Sequence, residues 1–329
     1  MRNTHPIGRR ALVAAASLAA LALPSLALAQ AYPDKPLKLL VGFPPGTGPD
    51  VVTRLVGQKL EAGLKQSVVV ENRAGAGGQI ATQAVAKSPA DGYTLLIGEV
   101  GSIAIAPPAF SKLPYDPAKE LAVVAEVVRS DFLLVVPVQS PHKTVADVVK
   151  AGKASKDRLN FATFGAGTPG HFGAEMLAEQ GGFKVEPIHY RATGDAITAI
   201  VAGDVQAAFV STALGSAQIK AGKMRALATT APSRSPLLPE VPTFTEAGLG
   251  KVDFSAWFAL FAPAGTPAAV LDTLNKQAVA AVQSADVKQK LVDAGFTVTG
   301  TSRADAEKMV KSEASRWAGI VKQTGFKGD

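Results

Sequence analysis

The run Leu37-Lys-Leu-Leu-Val41 is apolar enough for a buried strand, and it breaks at once into Gly-Phe-Pro-Pro-Gly-Thr-Gly-Pro before a helical pattern begins at Asp50. Val51, Val52, Leu55, Val56 and Leu60 then recur at the spacing of one helix face. The same succession of strand, glycine-bearing turn and helix returns along the chain, which limits it to α/β folds built on a parallel, doubly wound sheet. A strand over 68–72 is followed by Arg73-Ala-Gly-Ala-Gly-Gly78 and a helix over 79–87; a continuous apolar strand over 93–97 runs into Gly98-Glu-Val-Gly-Ser102.

Prolines at 107, 108, 114 and 117 interrupt this rhythm, and two apolar runs follow, 121–128 and 132–138, with Arg129-Ser-Asp131 between them. Two strands in succession mark a crossing from one lobe to another. A second series then begins: a helix from Thr144, a strand over 159–164, a helix from about Thr168, a strand over 185–190, a helix from Thr193 and a strand over 205–210. After Arg225–Thr229 and a proline-rich loop over 232–242 comes a strand at 254–261, and from Pro263 a helical tail around Trp317 that is expected to pack back on the first lobe. The expected division is a signal peptide over 1–29, the first part of lobe 1 over 30–130, lobe 2 over 131–252, and a return segment with C-terminal helices, mainly lobe 1, over 253–329.

Residues 1–29 stand apart. Arg2, Arg9 and Arg10 precede an apolar run from Ala11 to Leu23, and Ala27-Leu-Ala29 offers small residues for processing ahead of Gln30, the arrangement of a secretory signal peptide. The run is too short to span a bilayer comfortably. The chain has no cysteine, which excludes disulfides, thiolate metal sites and cysteine nucleophiles, and export without disulfides suits the bacterial periplasm. Without the three leader arginines the net charge of +7 becomes +4, and with no Lys/Arg run and few aromatics nucleic-acid binding is not expected. His142, His171 and His189 remain, with no pair at zinc-ligand spacing, so neither a metal nor a cofactor is expected.

If the helix after the first strand has Asp50 as its N-cap and Pro49 leading in, its free first-turn N–H groups face the loop and attract an anion. Gly46 and Gly48 let the backbone close on a ligand, and Pro44-Pro45 stiffen the approach. An ordinary strand-to-helix connection fits this segment alone equally well. Two prolines and two glycines within six residues nevertheless exceed what a short turn requires, and open α/β sheets bind ligands at the carboxyl ends of their strands. Three further strand-end loops are rich in small donors: 98–102 with Glu99 and Ser102, 163–171 with Thr163 and Thr168, and 190–195, where Arg191 can offer a fork of donors to a carboxylate. Together the four loops can enclose one small anion between two lobes, the logic of a hinge-closing receptor.

Two enzymatic readings compete. Gly165-Ala-Gly167-Thr-Pro-Gly170 is a G-x-G-x-x-G after a strand and before a helix, the fingerprint of a dinucleotide-binding oxidoreductase. Glu186 lies at about the right distance for a ribose contact, but at the start of the next strand rather than at its carboxyl end, and export argues against a diffusible dinucleotide. An exported hydrolase is the other: Ser102, Ser211 and His171 can be assembled on paper, yet the chain has no G-x-S-x-G elbow. A binding protein without catalysis is the preferred reading.

Over essentially the whole mature chain the sequence resembles the Bug-type solute-binding receptors of tripartite tricarboxylate transporters. The resemblance is carried by Tyr32-Pro-Asp-Lys-Pro36, Val41-Gly-Phe-Pro-Pro-Gly46 with Asp50-Val51, Val69-Val-Glu-Asn-Arg73 with Gly75-Ala-Gly-Gly78, and Asp91-Gly-Tyr-Thr-Leu-Leu96. It continues through Leu113-Pro-Tyr-Asp116, Lys220-Ala-Gly-Lys223, Ser235-Pro-Leu-Leu-Pro-Glu-Val-Pro242, Glu246-Ala-Gly-Leu249 and Ala262-Pro-Ala-Gly-Thr-Pro267. It implies a periplasmic binding protein-like (type II) α/β fold, two doubly wound lobes with a ligand cleft between them. It also implies a monomer that captures a small organic carboxylate for membrane subunits of such a transporter. The implied contacts are Phe43, Pro44, Pro45, Gly46, Thr47 and Asp50 in the first lobe, and Thr163, Gly165, Gly167, Thr168, His171, Tyr190 and Arg191 in the second. Where the family pattern often carries Asp-Asn after a second-lobe Phe, this chain has Val210-Ser211 after Phe209, and Ser211 is a further expected ligand contact. Where many relatives carry Tyr-Lys-Gly, it has Tyr190-Arg191-Ala192. The missing acid weakens an amino-acid ligand, and the arginine favours a non-amino dicarboxylate or an aromatic acid.

Overall fold

A computed structural model describes residues 32–190 and 192–328; the expected signal peptide over 1–29 and Arg191 lie outside the described residues. The chain from Lys35 onward forms one contact unit. Its first series is β1 (Leu37–Val41), α1 (Gly48–Leu64), β2 (Val68–Asn72), a 3-10 turn at Ala76–Gly78, α2 (Gln79–Ala86) and β3 (Thr94–Glu99). A π-helical turn at Gly101–Ile105 and two short helices, α3 (Ala106–Ala109) and α4 (Pro117–Glu120), lead into β4 (Leu121–Pro137). The second series is α5 (Val145–Ala154), β5 (Leu159–Thr163), α6 (Pro169–Gly181), β6 (Val185–His189), α7 (Thr193–Ala202), β7 (Ala207–Ser211), α8 (Thr212–Lys220) and β8 (Met224–Thr229). The return is β9 (Ser255–Pro263), α9 (Ala268–Gln283), α10 (Ala285–Asp293), β10 (Thr297–Val298) and α11 (Arg303–Thr324).

The sheet runs β2-β1-β3-β9-β4-β7-β5-β6, with β8 and β10 also paired to β4. β1 pairs in parallel with β2 and β3, and β5 with β6 and β7, as the two βα series require. β9 and β4 are inserted antiparallel between these parallel sets. The runs at 121–128 and 132–138 are therefore one strand and not two. Residues 121–131 pair with β9, residues 132–135 with β7 and 133–137 with β8, so the partner exchange falls between Asp131 and Phe132. The polar interruption is tolerated because Arg129 pairs with the buried Glu126 of the same strand. Two register shifts against β9 bend β4 as it leaves the first half of the sheet.

Strands with helices on both faces are buried throughout, which is why β1, β3, β4 and β9 are nearly continuous apolar runs. The second half is filled by Leu133, Val135, Ala162, Ile200, Val205 and Val210. In the tail, α9 lies against α1 and β4, while α11 covers the π-helical turn and β4 and also reaches α6. Trp257 of β9 and Trp317 of α11 are both fully buried and donate their indole N–H groups to one carboxylate oxygen of Glu313, at 3.2 and 3.1 Å.

Candidate functional site

The first strand-end loop is held by its own acid. α1 begins at Gly48 with Thr47 as N-cap (φ −77°, ψ 163°), which moves Asp50 from the expected cap to the third helical position. Thr47 is extended while Gly48 and Pro49 are already helical, and a proline in the first turn costs no hydrogen bond. Asp50 is 2% exposed, and its carboxylate is the acceptor at the centre of the loop. It accepts the Gly46 N–H (2.9 Å), Arg54 Nε (2.9 Å) and Asn72 Nδ2 (2.7 Å). Asn72 Nδ2 also donates to the Phe43 carbonyl, and Arg54 Nη2 donates to Asn72 Oδ1. Burial alone would raise the Asp50 carboxyl; the bonds from Arg54, Asn72 and Gly46 outweigh it and hold the group below the usual carboxylate range. Asp50 thus faces inward and shapes the loop, leaving Pro44, Pro45 and Gly46 as an exposed tip beside the helix N-terminus.

The loop after β5 repeats this construction. Gly46 (φ +79°) and Gly167 (φ +74°) both take the left-handed conformation that glycine permits. Thr47 and Thr168 both follow as extended N-caps, and each hydroxyl donates to the carbonyl three residues back, Pro44 at 2.7 Å and Gly165 at 2.8 Å. The third helical residue then takes the glycine N–H: Asp50 in the first loop, and His171 Nδ1 (3.1 Å) in the second. An imidazole that accepts at Nδ1 carries its proton on Nε2 and is neutral. Burial, and then the neighbouring His189, push the His171 pKa down to about 4. Both helices therefore present an N-terminus whose first amides have no intrahelical acceptor, with a threonine beside it.

The remaining predicted residues divide. A Cβ on Gly42 would lie 2.4 Å from the Gly78 Cα, so the two backbones meet there without room for a side chain, and a Cβ on Gly78 would lie 3.6 Å from both the Phe43 ring and Ser102 Oγ. Phe43, the turn at 76–78 and Ser102 thus share one rim. Behind it Thr82 Oγ1 donates to Ser102 Oγ (2.9 Å), and Tyr115 Oη donates to the Ser102 carbonyl (2.7 Å). Glu99 closes β3 on the same rim; burial pushes its carboxyl up to about 7 against the lowering effect of the Gly101 N–H. Thr163 is buried and bonded to His189 Nδ1 at 2.6 Å, and His171 and His189 lie edge to face at 4.9 Å. Tyr190 donates its N–H to the Thr163 carbonyl, and Ser211 Oγ caps α8 at Leu214 N.

Ser102, Ser211 and His171 are each engaged with their own local backbone or hydroxyl partners, so the hydrolase arrangement is not assembled among the described residues. Glu186 pairs with Arg158 near the amino end of β6. Gly170 instead serves packing, since a Cβ there would lie 3.0 Å from the Phe209 carbonyl. A groove of about 740 Å³ lined by Arg129, Asp131, Asp253, Lys288 and Phe296 contains none of the predicted site residues. Sequence reasoning gave no role to Asn72, which ties Asp50 to Phe43. Its only signal was membership of the matched segment Val69-Val-Glu-Asn-Arg73. Phe326, packed on His171 and Gly167, gave none.

A mixed α/β sheet with paired helix N-termini at strand carboxyl ends defines the class of the periplasmic binding-protein fold. Residues 52–326 match the tripartite tricarboxylate transporter family receptor, and the chain belongs to that family. It is 33% identical to Protein BugT of Bordetella pertussis over 300 residues, 91% of this chain and 92% of that one. Among solved structures it is similar to MatC from Rhodopseudomonas palustris with bound malate (31% identity, 88% of this chain and 100% of that one, TM-score 0.78). It is likewise similar to R. palustris Rpa4515 with adipate (30%, 90% and 99%, 0.82) and to the periplasmic binding protein BugD (28%, 90% and 99%, 0.79).

Proposed function

We propose that this protein is an exported, monomeric solute-binding receptor without catalytic activity. It captures a small dicarboxylate in the periplasm and presents it to membrane subunits of a tripartite tricarboxylate-type transporter. The observation that carries the reading is the duplicated Gly-Thr helix start, one in each half of the sheet, each with its loop pinned by the third helical residue. Two such termini suit the two ends of a diacid: backbone amides and helix dipole favour negative charge at each. Malate in MatC and adipate in Rpa4515 are both dicarboxylates, which supports the class.

In this reading Phe43 to Thr47 hold one carboxylate, with Gly165, Gly167 and Thr168 at the other end and Arg191 adding a bidentate contact, while Asp50 and His171 act by fixing loop shape. The two lobes are 30–130 with 253–329, and 131–252, hinged where β4 changes partners and where β9 begins. Thermal-shift screening and calorimetry with mono-, di- and tricarboxylates and aromatic acids test the ligand class. The expected result is stabilisation by diacids without turnover; stabilisation by a dinucleotide, or consumption of a substrate, overturns the reading. Small-angle scattering tests the hinge, with a smaller radius of gyration expected under saturating ligand.

A further inference from the structure

Glu99 is a partly buried acid with no cation beside it. Its register partner across β9 is Phe258, so both side chains leave the same face of the sheet. Phe258 packs edge-on against Phe296 at 5.8 Å, and the Phe296 ring lies 3.1 Å from where a Cβ on Gly48 would be. Glu99 therefore lies on the face that carries the first turn of α1. The Val41–Ile97 pairing also brings it level with Phe43 at the root of the first anion loop. The carboxylate folds over Gly101, whose missing Cβ makes the room, and accepts the Gly101 N–H.

The elements around it supply no compensating charge. β9, α2 and the π-helical turn contain no Lys, Arg, Asp or Glu. The lysine of β1, Lys38, is registered with Thr94 at the far end of β3. In α1, Asp50 and Arg54 are bound to each other. The titratable group that faces Glu99 is Tyr115, whose pKa is pushed up by its own burial and then by Glu99, so it stays a neutral phenol across the neutral range. A captured dianion thus brings further negative charge into a site that already holds an unpaired carboxylate, and two carboxylates in one desolvated site do not both stay ionised.

We propose that Glu99 is a specificity residue of the cleft: on capture its carboxylate takes one proton from solvent and the new O–H donates a hydrogen bond to a carboxylate of the bound acid. The proposal rests on the carboxylate-receptor reading above. Burial has already moved the group to the edge of neutrality, at about 7, so completing its protonation asks little of the ligand. Receptor and ligand then exchange one proton per capture above pH 7, and the site prefers acids with a second carboxylate over those ending in a neutral group.

Calorimetry of the full chain with malate and with adipate, at pH 6 and pH 8 in two buffers of different ionisation heat, counts that proton. Both acids are almost fully dianionic at pH 8, so the count there belongs to the protein. The expected result is close to one proton taken up per ligand at pH 8, only about a tenth from the protein at pH 6, and affinity about tenfold weaker at the higher pH. Glu99→Gln, an uncharged donor of the same shape, is expected to lose the uptake and to bind at pH 8 at least as tightly as the natural protein. Normal binding with no uptake at pH 8, tighter binding at pH 8 than at pH 6, or undiminished uptake in Glu99→Gln overturns the assignment and leaves the receptor reading standing. Absence of binding by either acid at both pH values removes both. If Glu99→Gln does not fold, the proton count on the natural protein decides alone.

Discussion

Asp50→Asn is the sharpest test of how the first loop is built. The carboxylate meets only donors: the Gly46 N–H and Arg54 Nε at one oxygen, Asn72 Nδ2 at the other. An amide in its place must turn an NH2 toward one of them. Placed at Oδ2, it faces a backbone N–H and a guanidinium. Placed at Oδ1, it forces Asn72 to turn over, which breaks the bond to the Phe43 carbonyl and sets a second NH2 against Arg54. A bond to a charged acceptor contributes about 1.5–3 kcal/mol and a stranded buried donor costs about 1–3. Arg54 is half exposed and can rehydrate, so the expected loss is about 3 kcal/mol, or a fall in Tm of roughly 5 °C for a chain of this size. Urea unfolding at pH 7 measures it. The folded pKa of Asp50 is depressed, so its contribution is present above the unfolded value near 3.9 and fades as pH falls through the lower folded value; the variant and natural curves are expected to converge there. A difference below about 0.5 kcal/mol at pH 7, or one that persists undiminished at pH 2, refutes the account.

His171 has a folded pKa of about 4 against an unfolded value near 6.5, so the native state binds fewer protons and stability drains away as pH falls between the two, by up to about 3 kcal/mol. His171→Asn is expected to flatten that part of a melting-against-pH profile. Glu313→Leu leaves the indole N–H groups of Trp257 and Trp317 without their shared acceptor and should cost about 2–5 kcal/mol, read by urea unfolding with a shift in tryptophan emission. Gly173→Ala drives a Cβ into the buried Phe254 ring and is expected to lose about 1–3 kcal/mol in the same assay, while leaving the first loop's ligand affinity unchanged. Arg191→Ala is expected to weaken a diacid ten- to a hundredfold more than a matched monoacid, with Arg191→Lys recovering only part, as calorimetry can report.

The two βα series were legible because short apolar runs bounded by glycine can be little else, and the matched segments pointed to the family before any coordinate did. β4 was misread as two strands because Arg129-Ser-Asp131 looks like a turn, and the Glu126 pairing that lets the strand continue is a matter of side-chain geometry. At the first loop Thr47 and Asp50 are both capping residues, and sequence alone had no ground for choosing between them; Gly46 and Asn72 decide it through contacts 4 and 22 residues away. The equivalence of Asp50 and His171 was invisible for the same reason: an acid and an imidazole share no sequence pattern, only the ability to accept one hydrogen bond.

The insertion of β9 between β3 and β4 has a consequence for how the chain comes into being. The first half of the sheet is discontinuous, and its central gap is filled by a strand that begins only at Ser255, about 150 residues after β3 ends. At a synthesis rate of about 5–20 residues per second, the amino-terminal strands wait on the order of 10–30 s for their neighbour. Closing that loop late is entropically costly and slow. The first half of the sheet is therefore completed only after the chain has been made as far as Pro263, with β1 to β3 lacking their inner neighbour until then.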